Sequence, residues 1–264
     1  MSIHPSAVIA DSAQIGENVS VGPFVVIEEE VIIGDGCVLD AAAQLRRGTT
    51  LGSENHIGSG AIIGADPQVI GFDSNINGGV KIGNKNVLRE YVTIHRSTSD
   101  GEFTVLGSSN YLMTGTHFGH DCIVGDNNTM ANNVLLAGHV LMGNNCFVGG
   151  ASVFHQFVRV ADYVMVQGLS GFSLDLPPYV MAAGVNYVAG INSVGLRRAG
   201  FDGNARKEIK EAFRMVYRSG KGLKEALEEA GNREWTNEAG AFFDFLHQKS
   251  KKGFCIRMEK AKAD

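Results

Sequence analysis

Aliphatic residues recur along this chain at every sixth position. The period holds eleven times without a break from Ile3 to Ile63, resumes for three repeats at Ile82, and runs for twelve more from Leu106 to Phe172. In each repeat the residue four positions later is usually small. A period of six with two inward positions matches neither the 3.6-residue period of an α-helix nor the alternation of a half-buried strand. The pattern predicts short parallel strands joined by tight corners, three to a coil, stacked into a triangular prism of about eight or nine coils.

Glycines and cysteines fit this prediction. Glycine often follows the periodic aliphatic residue, as at Gly16 and Gly34, and its conformational freedom suits a tight corner. Cys37, Cys122 and Cys146 occupy the inward small-residue position, so we interpret them as packing residues. The cysteine spacing indicates neither a zinc site nor a disulfide framework.

Two interruptions break the inward frame, near residues 66–79 and 97–104. Their residues must leave the prism as loops, and loops on a rigid scaffold often carry function. The repeat ends near Pro177, and we assign residues 1–186 to the β-helical domain with these two protruding loops.

Residues 187–264 are predicted to form a C-terminal α-helical domain. Asp202 is a suitable cap for a helix that runs through Arg218, with apolar residues on one face. Two further helices are expected, at Leu223–Ala230 and from about Glu234 to Gln248. The predicted fold class is therefore mainly β, a parallel β-helix of hexapeptide repeats with a C-terminal α-helical tail.

Charge and hydropathy narrow the possible partners. The formal net charge is −5 and no run of lysines or arginines occurs, so nothing in the charge pattern favours nucleic acid or an anionic membrane. The first residues have no basic or long apolar region of the secretory type, and no apolar stretch approaches the roughly 20 residues of a membrane helix. We expect a cytoplasmic protein without membrane insertion.

Four of the eight histidines lie in one part of the repeat, at His117, His120, His139 and His155. None occupies an inward position, which argues against buried structural histidines, although surface histidines without a role are the alternative interpretation. Residues 18 apart stack on successive coils, so Gly138 should lie directly above His120.

The same spacing extends the column and suggests its chemistry. Gln156 should follow Gly138 in the column, and Asp121 should lie beneath His139. An imidazole is suited to take a proton from a hydroxyl group near neutral pH, and a glycine N–H is suited to a developing oxyanion. The pair predicts acyl transfer to an alcohol or amine, without a cofactor.

A zinc site is the competing interpretation of the histidines. His117 and His120 are three residues apart around a corner, and a third ligand would have to come from another coil or subunit. We therefore expect no metal.

Several longer motifs closely resemble one family, the UDP-N-acetylglucosamine O-acyltransferases of lipid A biosynthesis. The resemblance covers nearly the whole chain. The motifs are REYVTIHRST at 89–98, GHDCIVGDN at 119–127, ANNVLLAGHV at 131–140, FHQF at 154–157, DLPPYV at 175–180, GINSVGLRRAGF at 190–201 and YRSGK at 217–221.

The resemblance implies a left-handed prism and a homotrimer with sites between neighbouring subunits. It also implies transfer of an (R)-3-hydroxyacyl group from acyl carrier protein to the glucosamine 3-hydroxyl of UDP-N-acetylglucosamine. His120 would be the base, Asp121 would orient it, and Gly138 would supply the oxyanion N–H. The matched substrate-binding positions are His117, His139, His155, Gln156, Gln68, Asn192 and Arg198. The acyl-chain groove would include Met165, Gly168 and Leu169.

The sequence departs from the family pattern in two places. Val69 and Gly71 in the first loop stand where members commonly carry an aspartate and a lysine, and Asp73 and Lys81 are the nearby candidates to replace them. Val194 and Ala199 fall where some members carry Glu and Arg.

Two alternative functions are weighed against this one, the second of them because of Val69 and Gly71. One is an N-acyltransferase acting on a UDP-amino sugar, which normally carries an additional uridine-binding domain before the prism. The other is a catalytically weak trimer that binds acyl carrier protein or nucleotide without turnover.

Overall fold

A computed structural model describes residues 1–258 of the protein. Each hexapeptide repeat forms one short strand that contains its periodic aliphatic residue, which gives the strands β1 to β26, and two longer strands follow. In chain order the strands are β1 Ser2–Ile3, β2 Val8–Ile9, β3 Gln14–Ile15, β4 Ser20–Val21, β5 Val26–Ile27, β6 Ile32–Ile33, β7 Val38–Leu39, β8 Gln44–Leu45, β9 Thr49–Leu51, β10 His56–Ile57, β11 Ile62–Ala65, β12 Gly79–Ile82, β13 Val87–Leu88, β14 Thr93–His95, β15 Phe103–Leu106, β16 Tyr111–Leu112, β17 His117–Phe118, β18 Ile123–Val124, β19 Thr129–Met130, β20 Leu135–Leu136, β21 Leu141–Met142, β22 Phe147–Val148, β23 Val153–Phe154, β24 Arg159–Val160, β25 Met165–Val166, β26 Gly171–Phe172, β27 Val180–Ala183 and β28 Tyr187–Ile191.

Every third strand belongs to the same flat sheet, so the coil has three faces. The first face runs from β1 to β25 and continues into β27 and β28, the second runs from β2 to β26, and the third runs from β3 to β24. All strand pairs are parallel except β27 with β28. We call the corner between the second and third faces the histidine edge, because it carries His120 and His139. The corner between the first and second faces, which carries Gly168, is called the Gly168 edge.

The core is a column of the inward residues predicted from the repeat. The periodic aliphatic residues from Val21 onward are buried, and Leu136 and Val148 are fully so. Four of the second inward positions hold asparagine instead of a small residue. Their side chains form a ladder inside the prism, in which Asn86 donates to Asn55 and Asn110 donates to Asn86, both at 3.0 Å. The ladder satisfies amides that would otherwise be costly to bury.

The structure gives the glycines that follow the periodic aliphatic residue a different role from the predicted one. Positive φ usually falls three residues after the periodic aliphatic residue, for example at Asp121 and His139. Among the glycines that directly follow the aliphatic residue, Gly64 has a positive φ of 87° and the others do not. A Cβ on Gly34 would lie 2.6 Å from the carbonyl carbon of Gly52 in the next coil. The expected role in turning the chain is therefore wrong for these glycines except Gly64. They are required because successive coils approach too closely for a side chain.

Both interruptions leave the prism at the histidine edge. The first loop spans residues 66–78 and the second spans residues 96–102, so residues 79, 103 and 104 belong to strands. Arg96 anchors the first loop, because its guanidinium donates to Asp66 Oδ1 at 2.8 Å and to the Ser74 carbonyl at 2.9 Å. Hydrogen bonds therefore join the two loops on the histidine edge.

Within residues 1–258 four helices follow the strands, namely α1 Ser193–Arg198, α2 Gly203–Tyr217, α3 Leu223–Ala230 and α4 Asn237–His247. Asp202 caps α2 as predicted. α4 begins three residues later than expected because Thr236 caps it, accepting a hydrogen bond from the Ala239 N–H.

The region around the predicted domain boundary contains further structure. α1 was not predicted, and the β27–β28 hairpin spans the boundary placed at residue 186. Residues 259–264 of the predicted helical domain lie outside the described residues. No helix in residues 1–258 is both long and apolar enough to cross a membrane.

Candidate active site

His120 and Asp121 form a hydrogen-bonded pair at the histidine edge. His120 Nδ1 lies 2.7 Å from Asp121 Oδ2, and only 13% of the His120 side chain and 12% of the Asp121 side chain are exposed. An ionised carboxylate only accepts hydrogen bonds, so His120 donates through Nδ1–H. In the neutral imidazole, Nε2 then carries the lone pair that can take a proton.

The Asp121 carboxylate is held by the second loop. The Ser97 hydroxyl donates to Oδ1, and the Thr98 hydroxyl donates to Oδ2 at 2.7 Å. Thr104 accepts the Asp121 backbone N–H at 2.7 Å. Burial raises the pKa of the Asp121 carboxyl, but the hydrogen bonds from Ser97, His120 and Thr98 outweigh it and lower the pKa overall. The carboxylate is thus ionised and fixed in position at neutral pH.

Sequence reasoning missed these three hydroxyl residues. Ser97 and Thr98 end the HRST motif at the start of the second loop, which was the only signal that they accompany the site.

Gly138 lies directly above His120, as the 18-residue spacing predicts. A Cβ at this position would stand 2.6 Å from His120 Nε2, so any other residue would displace the imidazole. The N–H groups of Ala137 and His139 bond to the coils on either side, at 3.0 and 2.9 Å, whereas the Gly138 N–H has no acceptor within residues 1–258. A free N–H beside a proton-accepting nitrogen is an arrangement suited to acyl transfer.

His139 packs against the pair from the next coil. Its Nε2 lies 3.7 Å from Asp121 Oδ2, and its ring stacks on Phe157 with centroids 4.6 Å apart. Burial is the main cause that lowers the pKa of His139, so the ring is neutral near pH 7. One ligand-type atom from each of His120, Asp121 and His139 lies within 4.8 Å of the others, which would also suit a cation. The Asp121 oxygens, however, already accept three side-chain hydrogen bonds.

His117 lies on the second face, next to a histidine that sequence reasoning missed. The His117 Nδ1 is 2.8 Å from the Thr93 hydroxyl, and its ring centroid is 5.1 Å from that of His95. Burial, assisted by His95, lowers the pKa of His117 to about 4. His95 also bonds the Asp66 carbonyl at 2.6 Å, and it has the same position in its repeat as His155, which could have revealed it.

His155 and Gln156 are exposed at the upper end of the histidine edge. His155 Nδ1 lies 3.2 Å from Nζ of Lys252, a residue of the segment that follows α4. Lys249 and Lys251 of the same segment line a pocket with His139. No local pattern could have indicated these three lysines, because they are about one hundred residues away from His139 and His155 in the chain.

The remaining predicted residues lie in the first loop and around α1. Gln68 is exposed in the first loop, on the histidine edge. Asn192 caps α1, accepting from the Gly195 N–H at 3.0 Å and donating to the Tyr163 carbonyl at 2.9 Å, and Arg198 is exposed at the end of α1. Their nucleotide contacts stay predictions.

The three predicted groove residues also lie away from His120. Gly168 and Leu169 are exposed at the Gly168 edge, and Met165 lies beside them on β25 of the first face. The whole second face separates them from the histidine edge of the same chain.

Two family models match the chain in separate parts. The model described as Udp N-acetylglucosamine O-acyltransferase, Domain 2, matches residues 175–255. The model of the GMPPB C-terminal domain matches residues 1–110, within the repeats.

Similar proteins cover most of the chain. An acyl-[acyl-carrier-protein]–UDP-N-acetylglucosamine O-acyltransferase of Campylobacter concisus (strain 13826) is 35% identical over 230 residues, which are 86% of this chain and 87% of that protein. The solved UDP-N-acetylglucosamine O-acyltransferase of Moraxella catarrhalis RH4 is 39% identical, with a TM-score of 0.92 over 97% of this chain and 100% of that one. The UDP-N-acetylglucosamine acyltransferase of Bacteroides fragilis 9343 is 38% identical, with a TM-score of 0.91 over 96% and 99%.

These structural matches also determine the hand of the coil, because two prisms that wind in opposite senses do not superpose at such scores. The protein is a left-handed parallel β-helix, as the sequence resemblance implied. With 35% identity over 86% of its length to a curated member, the chain belongs to the UDP-N-acetylglucosamine O-acyltransferase family.

Proposed function

We propose that this protein transfers an (R)-3-hydroxyacyl group from acyl carrier protein to the glucosamine 3-hydroxyl of UDP-N-acetylglucosamine, the first step of lipid A biosynthesis. The observation that carries the proposal is the His120–Asp121 pair beneath the free N–H of Gly138. Family membership and the match to a carrier-dependent relative support the same reaction.

In the proposed mechanism His120 Nε2 takes the proton of the 3-hydroxyl as its oxygen attacks the thioester carbonyl carbon. The Gly138 N–H donates to the oxyanion of the tetrahedral intermediate. When the C–S bond breaks, the carrier thiolate leaves and takes the proton from His120, which restores the neutral base. Asp121 keeps the imidazole in its productive tautomer and stabilises the transient imidazolium.

We also propose a cytoplasmic homotrimer with acyl carrier protein as its partner. The support for a trimer is the distance between the site components on one chain: the base lies on the histidine edge, and the predicted groove lies on the Gly168 edge. A neighbouring prism that presents its Gly168 edge to the histidine edge would complete the site.

The first loop of this chain has an apolar tip in place of the polar contacts of the family. Val69 is 42% exposed, Ile70 is fully exposed, and Gly71 has no side chain to contact a ligand. The proposed substitutes are engaged elsewhere, because Asp73 accepts hydrogen bonds from Asn75 and Lys81 Nζ lies 3.6 Å from the centre of the Phe103 ring. We propose that charged groups outside the loop contact the phosphates.

The chemical nature of the product shows whether the acceptor atom is an oxygen or a nitrogen. Purified protein is incubated with a 3-hydroxyacyl carrier protein and UDP-N-acetylglucosamine, and the product is analysed by mass spectrometry. We expect an acylated sugar nucleotide whose bond is cleaved by alkali, as an ester is. An alkali-stable product from a 3-amino sugar would support the N-acyltransferase alternative, and ligand binding without any product would support the non-catalytic one.

The base is tested by His120→Ala, for which we expect turnover to fall by at least about 100-fold, with nucleotide binding changed little. His56 offers a matched control, because its Nε2 bonds Asp40 at 2.8 Å in an exposed His–Asp pair on the first face. His56→Ala should retain full activity. Near-normal turnover of His120→Ala would refute the assignment.

A further inference from the structure

A pocket of about 430 Å³ opens on the third face beside the candidate active site. Its floor is apolar, because outward side chains of the third face line it, and Ile123 and Leu141 are 51% and 41% exposed. Asp121, His139 and Phe157 form the wall toward the active site. The other lining residues are Glu102, Phe103, Arg159, Lys249 and Lys251.

The segment that carries the two lysines is fixed to the prism. Ser250, between them, donates to Asp175 Oδ2 at 2.7 Å, and the Asp175 N–H donates to the Gly253 carbonyl at 2.9 Å. Asp175 is itself buried and accepts from Arg159 Nε at 2.7 Å. Since Ser250 points to the prism, Lys249 and Lys251 flank an anchored residue, and both line the pocket.

The two lysines of this pocket are not paired with neighbouring acids. Neither Lys249 nor Lys251 forms a salt bridge within residues 1–258. Arg159 pairs with Asp175 through Nε, whereas its Nη2 is buried without an acceptor among the described residues. Lys251 Nζ lies 4.9 Å from the centre of the Phe157 ring, which stacks on His139. The acids in the lining are Asp121, whose carboxylate accepts hydrogen bonds from Ser97, Thr98 and His120, and Glu102.

An apolar floor with a cationic rim is suited to an anion that is attached to a carbon skeleton. A phosphate group meets both conditions, because lysine ammonium groups bind phosphate as point charges and the linked organic group covers the apolar surface. The pocket also adjoins His139, so a ligand held there would reach the reacting atoms.

We propose that this pocket binds a phosphate group of a substrate, with Lys249 and Lys251 as its ligands. The inference rests on the proposed function, which provides two sources of organic phosphate. These are the diphosphate of the nucleotide sugar and the phosphodiester of the phosphopantetheine arm of the carrier.

The test is the double variant Lys249→Ala/Lys251→Ala, because both side chains are exposed and their removal leaves the Ser250 anchor intact. We expect KM to rise by about tenfold or more for one substrate, while kcat changes by less than about twofold, since ground-state binding is lost. A raised KM for the nucleotide sugar identifies its diphosphate as the ligand. A raised KM for the acyl carrier identifies the phosphopantetheine phosphate.

Two further variants act as controls. Lys249→Arg/Lys251→Arg keeps the charge and should restore most of the affinity. Lys85→Ala/Lys224→Ala removes two cations whose side chains are 63% and 93% exposed elsewhere, and it should leave both KM values unchanged.

Calorimetric titration with UDP-N-acetylglucosamine and with phosphopantetheine separates this inference from the proposed function, because it needs no turnover. Weaker binding of either ligand to the alanine double variant supports the pocket even if the wild-type protein forms no product. Unchanged KM values and unchanged binding of both ligands would overturn the inference, while wild-type turnover would leave the function standing.

Discussion

At the scale of single residues, the hydroxyl groups of Ser97 and Thr98 decide how firmly the base is held. Each donates to a different oxygen of Asp121, and Asp121 in turn accepts from His120. Neither hydroxyl touches the acceptor nitrogen, so they act as positioning residues. Their effect should therefore appear in the protonation behaviour of the site as well as in its rate.

We predict that Ser97→Ala/Thr98→Val lowers kcat by about tenfold with little change in KM, because a less constrained carboxylate orients His120 less well. The hydrogen bonds lower the pKa of Asp121, so their loss should raise it. The acidic limb of the pH–rate profile should then move to higher pH. Ser99→Ala, on the same loop, is the control, and an unchanged kcat and profile in the double variant would exclude the positioning role.

His117 should make stability depend on pH. Its pKa falls from 6.5 in the unfolded chain to about 4 in the fold, mainly through burial. The folded state thus disfavours the protonated ring, so the stabilisation is complete above pH 6.5 and is lost as the pH falls toward 4. The loss should be about 1–2 kcal/mol per subunit, less than the full shift implies, because the ring is partly exposed and solvent screens it.

Chemical unfolding at several pH values between 7 and 4 measures this loss. His117→Asn cannot titrate and should flatten the dependence in that window. If the variant and the wild-type protein lose stability in parallel, other groups dominate.

At the scale of the elements, the spacing between coils limits which residues can occupy the corners. We predict that Gly34→Ala destabilises the protein by about 1–3 kcal/mol, because its methyl group would lie 2.6 Å from the Gly52 carbonyl carbon. Gly171→Ala is the matched control, since its methyl group would meet only Val153 Cγ2, at 3.5 Å. Thermal unfolding of both variants decides the point, and equal melting temperatures would contradict the packing explanation.

The strands were the most predictable elements. One inward aliphatic residue per repeat is enough to place a strand, because a slip of one residue would turn that side chain out to solvent. The helical tail was predicted less well: α1 is only six residues long, and the start of α4 depends on which of several polar residues caps it. The periodicity of apolar residues does not show which of several polar residues will cap a helix.

At the scale of the whole molecule, a complete site is expected to combine two edges from two subunits. In that arrangement Gly168→Met fills the groove of the neighbouring site and should shift selectivity toward shorter acyl donors, since each buried methylene contributes about 0.8 kcal/mol. Competition between donors of different length measures the shift. An unchanged preference would place the end of the groove elsewhere.

Mixed trimers test whether the site is shared. His120→Ala trimers should be inactive, and Gly168→Met trimers should use long donors poorly. When the two variants are co-expressed, about a quarter of the sites should pair an intact His120 with an intact Gly168 of the neighbour, and long-donor activity should return. If base and groove belong to one subunit, no mixture regains this activity.

The sequence by itself determined the β-helix, its inward residues and the His120–Gly138 column, because a strict six-residue period fixes both the direction of each side chain and its vertical neighbour. It also placed Asp121 beside His120. Only the tertiary structure decided which groups hold Asp121, that His95 packs against His117, and that Lys249 and Lys251 face the site. Most of these contacts join a loop or the C-terminal segment to the prism. The six-residue repeat cannot predict them, because one partner of each contact lies outside the repeat. The structure also showed why glycine is needed at these positions: a side chain would collide with the next coil. The distance between coils is a tertiary property that no local pattern encodes.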